Sequence, residues 1–228
     1  MNELTSKETK QKYIEVMGKE LGIIFHALRN ELLWLFEKWT EYVELFGTKQ
    51  SRVELVNQAA SHFFGIVQNT LWENTLLHIA RITDNEKSAG KENLTIRRLP
   101  KLIEKQSCKK EVEALIDKIN KKREFCKDWR DRHIAHSDLK LAIWEDAEKL
   151  KPASRKQVIE LLKLIAKALN TVSGYYTDST IFFEGIGNIN GSVSLLHVID
   201  DGLRAKKKRL EDIEKNVYDP SNLSPRYL

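Results

Sequence analysis

The sequence predicts an all-α fold, and three observations carry that expectation. Ten glycines and four prolines in 228 residues, against 41% hydrophobic and 31% charged residues, supply little of the turn chemistry that a strand-rich sandwich needs. Apolar residues recur at three- and four-residue spacings along most of the chain, the period of helices that bury one face. Two patterns, Ser51-Arg-Val-Glu54 and Ser154-Arg-Lys-Gln157, place a hydroxyl three residues before Glu or Gln ahead of apolar runs, which is the signature of a capped helix start.

The first helix is expected from Leu21, where Leu21, Ile24, Phe25, Leu28, Leu32, Leu35, Phe36, Trp39, Val43 and Phe46 sustain the period for about seven turns. Gly47 stands where a C-terminal cap would, and Ser51 to Glu54 restarts the chain. A second helix runs to about Asp84 with Val56, Ala59, Phe63, Val67, Leu71 and Leu77 on its stripe. His62 and His78 lie beside that stripe, where a histidine is more often a satisfied core residue than a ligand. Residues 84–93 have turn composition without a period and read as a loop. Thr95 to Lys105 should form a short helix bent near Pro100.

From Cys108 the period resumes with Val112, Leu115, Ile116 and Ile119, and then Arg123, Cys126 and Arg130 continue the same stripe. Cations thus replace apolar groups on a face that should be buried. Either they snorkel to an ion pair at the core's rim, or they aim a guanidinium into a groove that receives an anion. Residues 139–151 hold a turn or short helix bearing Trp144. A helix follows Pro152, with Val158, Leu161, Leu162, Ile165, Leu169, Val172 and Tyr176 on its stripe and Gly174 loosening its end. Residues 180–191 are the one candidate for extended structure. A last helix spans about Ser192 to Lys215 and carries Lys206 to Arg209, a run that suits a solvated face or a phosphate backbone. The expected organisation is a single helical domain over 1–215 and a mobile tail over 216–228, which has two prolines and no period.

Composition also bounds function. Cys108 and Cys126 form no Cys-x-x-Cys pair, so neither a disulfide framework nor a thiolate zinc site is expected, and a reducing, cytoplasmic compartment fits. Met1 to Lys12 is too polar for a secretory signal, and no apolar run nears the roughly 20 residues of a membrane span. No membrane partner is expected. A net charge of +5 and a pI near 9.0 favour a polyanionic partner weakly. No glycine-rich phosphate loop is present.

One stretch concentrates acid, base and cation: Asp128-Trp-Arg-Asp-Arg-His-Ile-Ala-His-Ser-Asp138. On an unbroken helix Arg132 and His136 share a face, while Arg130 and His136 stand about 120° apart. Both could then reach one small target only if the helix bends or a second copy of the chain contributes. Three uses are open. An imidazole could move protons during RNA cleavage while an arginine stabilises the charge on phosphorus. His133, His136 and Asp138 could hold a metal, although no third well-spaced strong ligand is evident. Or the segment could be a charged turn that does no chemistry. Nucleophilic catalysis is poorly supported, since no cysteine is placed beside a histidine, although Cys126, four residues before Arg130, would have a lowered pKa if exposed.

Arg130-Asp131 followed by four residues and His136 resembles the motif of the HEPN superfamily, an Arg, four to six residues and a His, with a polar residue directly after the Arg. The surrounding order extends the resemblance over roughly Leu21 to Tyr176: Phe46-Gly47, Ser51-Arg52, Phe63-Phe64, Ile82-Thr83-Asp84, Asn93-Leu94-Thr95 and Ile134-Ala-His-Ser-Asp138. Together these are similar to the AbiU-like abortive-infection branch. The resemblance implies an all-helical, HEPN-like antiparallel bundle with additional helices, paired as a two-fold homodimer in which the two motifs meet. It also implies an endoribonuclease needing no metal or other cofactor, acting on RNA in phage defence or a toxin system and leaving a cyclic phosphate and a 5′-hydroxyl; a cognate antitoxin or inhibitor is unknown. By position, Arg130 would stabilise the scissile phosphate, His136 would act as general acid or base, and Asp131 would orient one of them. Arg132, His133 and Arg123 would contact substrate. The alternative is a noncatalytic helical dimer that serves as a binding or scaffold module.

Overall fold

The computed structural model describes residues 5–144, 146–185 and 190–215. The expectation of a mobile tail over 216–228 therefore lies outside the described residues. Helix α1 (Ser6–Met17) opens the described chain and was not expected from the sequence. It starts on a capping box, in which the Thr5 hydroxyl accepts the Glu8 N–H and the Glu8 carboxylate accepts the Thr5 N–H. Its buried residues are Tyr13 and Met17, too few to mark a period.

Gly18, with φ +83°, breaks the chain before α2 (Lys19–Phe46). A Cβ at Gly22 would lie 2.6 Å from the Tyr13 carbonyl, so only glycine lets α1 lie this close against α2. Helix α3 (Gln50–Ile82) begins one residue before Ser51, which sits in its first turn rather than capping it. The helix is broken at Ala60 (φ −163°, ψ 73°), and the break shifts its phase. Phe63, expected on the buried stripe, is 59% exposed and Phe64 is buried instead.

Residues 84–93 are more ordered than the expected loop. Lys87–Ser88 (β1) and Lys91–Glu92 (β2) pair antiparallel around Ala89-Gly90, with Lys87 opposite Glu92. The loop with possible strand character expected at 180–191 shows no strand over its described part. A 3-10 turn (Ile96–Arg98) leads into α4 (Leu99–Leu102), where Pro100 sits in the first turn and costs no helical bond. Helices α5 (Gln106–Lys122) and α6 (Glu124–Trp129) follow, meeting at Arg123. Short α7 (Leu139–Ile143) bears Trp144 at its end. Helix α8 (Arg155–Thr177) starts on the expected Ser154–Gln157 box, and runs through Gly174 without a break. Helix α9 (Ser192–Glu214) completes the described chain.

The described residues form an all-helical bundle in two compact units. One comprises 5–39 and 70–185, the other 40–69 and 190–215. In the first, α5 packs along α8, and the core is built from Phe25, Leu28, Leu32, Leu76, Ile79, Ile119, Leu161 and Ile165, all fully buried. In the second, Leu45, Val56, Phe64 and Leu196 form a smaller cluster, and Glu41 accepts the Ser192 N–H at 2.6 Å to cap α9. No helix among the described residues is long and apolar enough to cross a membrane.

Candidate functional site

The chain reaches Arg130 along a stripe whose apolar members Ile119, Phe125 and Cys126 are buried, which fixes the side chain's direction. At Arg130 the helix widens. The Ala135 N–H donates to the Arg130 carbonyl, five residues back, at 2.8 Å, and residues 130–134 form a π-type turn. Such turns are rare and recur at functional positions. The helix then ends, the Asp138 N–H closes onto the Arg132 carbonyl at 3.0 Å, and the Asp138 carboxylate caps α7 by accepting the Leu141 N–H at 2.9 Å. The 120° separation on an unbroken helix does not apply, because the helix does not continue as far as His136.

Arg130 is gripped from two sides. Its Nε donates to Asp131 Oδ1 at 2.6 Å and its Nη1 to Asp84 Oδ2 at 2.7 Å. Nη2 has no bond among the described residues. Burial opposes the guanidinium's charge, but the bonds to Asp131 and Asp84 outweigh it and raise its pKa. Asp131 thus bonds to Arg130 and not to His136.

Asp84 is the residue that sequence reasoning missed as a member of the site. It follows α3 in a segment knitted to the 3-10 turn: Thr95 Oγ1 donates to the Ile82 and Asp84 carbonyls at 3.1 and 2.8 Å, and Arg97 Nε donates to the Thr83 carbonyl at 3.0 Å. Arg123 lies behind it, 5% exposed, with Nη1 donating to the Thr83 carbonyl at 2.7 Å and lying 4.0 Å from Asp84 Oδ1. Burial and the neighbouring Arg97 lower the Arg123 pKa against the pull of Asp84. Arg123 was expected to contact substrate. In this structure it is buried instead against the Thr83-Asp84 segment.

The other expected residues separate. Arg132 bonds to the Glu148 carbonyl and lies 3.5 Å from Asp128 and 3.9 Å from Asp138. His133 sits edge-on to Trp129, ring centroids 5.6 Å apart, with Nε2 3.2 Å from Glu73 Oε1. His136 is exposed and makes no side-chain bond among the described residues. The structure brings Arg130, Asp131 and Asp84 together, and it joins neither His133 nor His136 to them.

Residues outside the motif are less suited to chemistry. Cys126 is buried, so the exposure on which a lowered pKa depended is not met, and burial raises its thiol pKa instead. His62 is exposed. His78 is buried and satisfied, with Nε2 2.7 Å from Glu31 and Nδ1 2.9 Å from Lys38 Nζ. Among the described residues no three His, Cys, Asp or Glu side chains are grouped as metal ligands would be.

A family model described as AbiU2, of the HEPN type, matches residues 18–186. No curated protein and no solved structure matches the chain.

Proposed function

This chain belongs to the AbiU2 family of HEPN proteins, and on that premise we propose that it cuts RNA through Arg130 and His136 without a metal ion. The observation that carries the reading is the contrast between the two residues. Arg130 is held rigidly by two carboxylates with Nη2 unbonded, and His136, six residues on, is exposed and unpartnered just beyond the wide turn. A fixed cation and an accessible imidazole are the two groups that transesterification at phosphorus requires.

In this reaction the RNA 2′-oxygen loses its proton to an imidazole and bonds to phosphorus while the bond from phosphorus to the 5′-oxygen breaks. A protonated imidazole supplies the leaving oxygen's proton. Arg130 Nη2 stabilises the charge on the non-bridging oxygens. A two-fold homodimer with the motifs facing each other supplies two His136 side chains, one as base and one as acid. Phage defence or a toxin system is then the setting.

Incubating the purified protein with single-stranded and structured RNA in EDTA tests the proposal. Wild type should cut, and His136→Ala and Arg130→Ala should lose at least about 100-fold in rate, the size of a general acid–base contribution. Undiminished cleavage by folded His136→Ala rejects it. The noncatalytic dimer is favoured by the Arg130–Asp84 ion pair if it serves only to fasten the wide turn to the Thr83-Asp84 segment; it predicts no cleavage by any form.

A further inference from the structure

Beside the motif lies an open groove of about 560 Å³, within the roughly 300–1,000 Å³ range of small-molecule sites. Arg132, Asp138, Lys140, Trp144, Asp146 and Glu148 line it. Two of these are occupied elsewhere, Asp138 in capping α7 and Arg132 with Asp128 and the Glu148 carbonyl. The side chains left are the Trp144 ring, 61% exposed, the carboxylates of Asp146 and Glu148, and the Lys140 ammonium, none bonded among the described residues. An indole of this size held in water at the rim of a groove lacks a partner for its face.

We propose that this groove binds an unpaired guanine of the RNA strand, stacked on Trp144 with its N1–H and N2 amino group donated to the carboxylate of Asp146 or Glu148, and its phosphate met by Lys140. The choice of base follows from donor chemistry. An ionised carboxylate only accepts hydrogen bonds. Guanine presents two donors side by side on its pairing edge. Adenine and cytosine set an acceptor beside their one amino group, and uracil flanks its single N–H with two carbonyls, so each points a lone pair at the carboxylate. Aromatic stacking supplies affinity without choosing among bases, and the carboxylates supply the choice. A cationic side chain from a protein partner would also suit an aromatic ring and two carboxylates, but Lys140 in the same groove repels it and attracts a phosphate. The groove shares Arg132 with the segment between Arg130 and His136, and on the ribonuclease reading a guanine held there is a specificity determinant of the proposed cleavage.

The site rests on the ribonuclease reading for its purpose, and its test is independent of cleavage. The full chain is titrated with GMP, AMP, CMP and UMP while the indole N–H resonances are followed, that of Trp144 being the signal absent from Trp144→Phe. GMP should move that resonance saturably and bind at least about tenfold more tightly than UMP. Calorimetry should show binding kept in Trp144→Phe and lost in Trp144→Ala, and the Asp146→Asn/Glu148→Gln double variant should bind GMP and UMP alike. Equal affinities for GMP and UMP in the wild type, an unmoved Trp144 resonance, or saturation of the groove by an arginine-bearing peptide with no response to GMP overturns the proposal. A protein that binds GMP here but cuts no RNA keeps the site and loses the ribonuclease reading. One that cuts RNA without this preference does the reverse.

Discussion

Asp84 anchors Arg130 across 46 residues of chain, so removing it should loosen the site measurably. In Asp84→Ala the guanidinium loses its 2.7 Å partner, Arg123 loses a carboxylate 4.0 Å away, and the Asn85 N–H loses its 2.9 Å acceptor. Breaking a fully buried pair costs about 3–5 kcal/mol, and an exposed one contributes about 0–1. The Arg130 and Asp84 side chains are 20% and 22% exposed, which places the loss between those limits, at about 1–3 kcal/mol. For a chain of this size that lowers Tm by roughly 2–4 °C per kcal/mol. Asp84→Asn keeps an acceptor oxygen and should fall about midway. The discriminating assay is a double-mutant cycle with Arg130→Ala by urea denaturation. Because the two groups touch, their losses should fall short of additivity by about 1–2 kcal/mol. Additivity within about 0.5 kcal/mol would refute the claim that Asp84 holds Arg130.

Acid should destabilise the fold through His78, whose pKa is lowered to about 4, first by burial and then by Lys38, against the opposing pull of Glu31. The folded value lies below the unfolded value near 6.5, so the native state binds fewer protons. Stability is full above about pH 6.5 and declines as pH falls toward 4, by at most roughly 3 kcal/mol. Urea melts at pH 7 and pH 4.5 should show a smaller difference for His78→Gln than for wild type, and an equal difference would contradict it. Burial pushes the Cys108 thiol up to about 11 and the Cys126 thiol higher still. Both cysteines should resist iodoacetamide at pH 8 until the protein is unfolded, as mass spectrometry would show; rapid labelling of the native protein would count against the packing around α5 and α6.

Local signals in the sequence were legible wherever one element satisfied itself. The Ser154–Gln157 box and the α8 stripe needed only neighbours three and four residues away, and both are present. The same box at Ser51 misled because α3 starts at Gln50, leaving the hydroxyl inside the helix. The phase shift at Ala60 was hidden because apolar residues continue on both sides of it, and only burial separates Phe63 from Phe64. The hairpin at Lys87 to Glu92 has two-residue exposed strands, too short to alternate. Arg130, Asp131 and His136 were marked out together by the motif they resemble, and the structure joins the first two while His136 stands apart. The grip of Asp84 on Arg130 was not, because a contact over 46 residues leaves no periodic trace, and neither was the burial of Arg123, which depends on how Thr83 is placed.

If Arg130 and His136 drive attack by the RNA's own 2′-hydroxyl, a single-atom substitution in the substrate isolates that step. An RNA the protein cleaves is resynthesised with one 2′-deoxynucleotide immediately 5′ of the scissile phosphate and incubated in EDTA. Cleavage should vanish at that phosphate alone, while the unmodified RNA yields a 2′,3′-cyclic phosphate and a 5′-hydroxyl. Cutting of the deoxy-substituted bond at the unmodified rate would contradict the account.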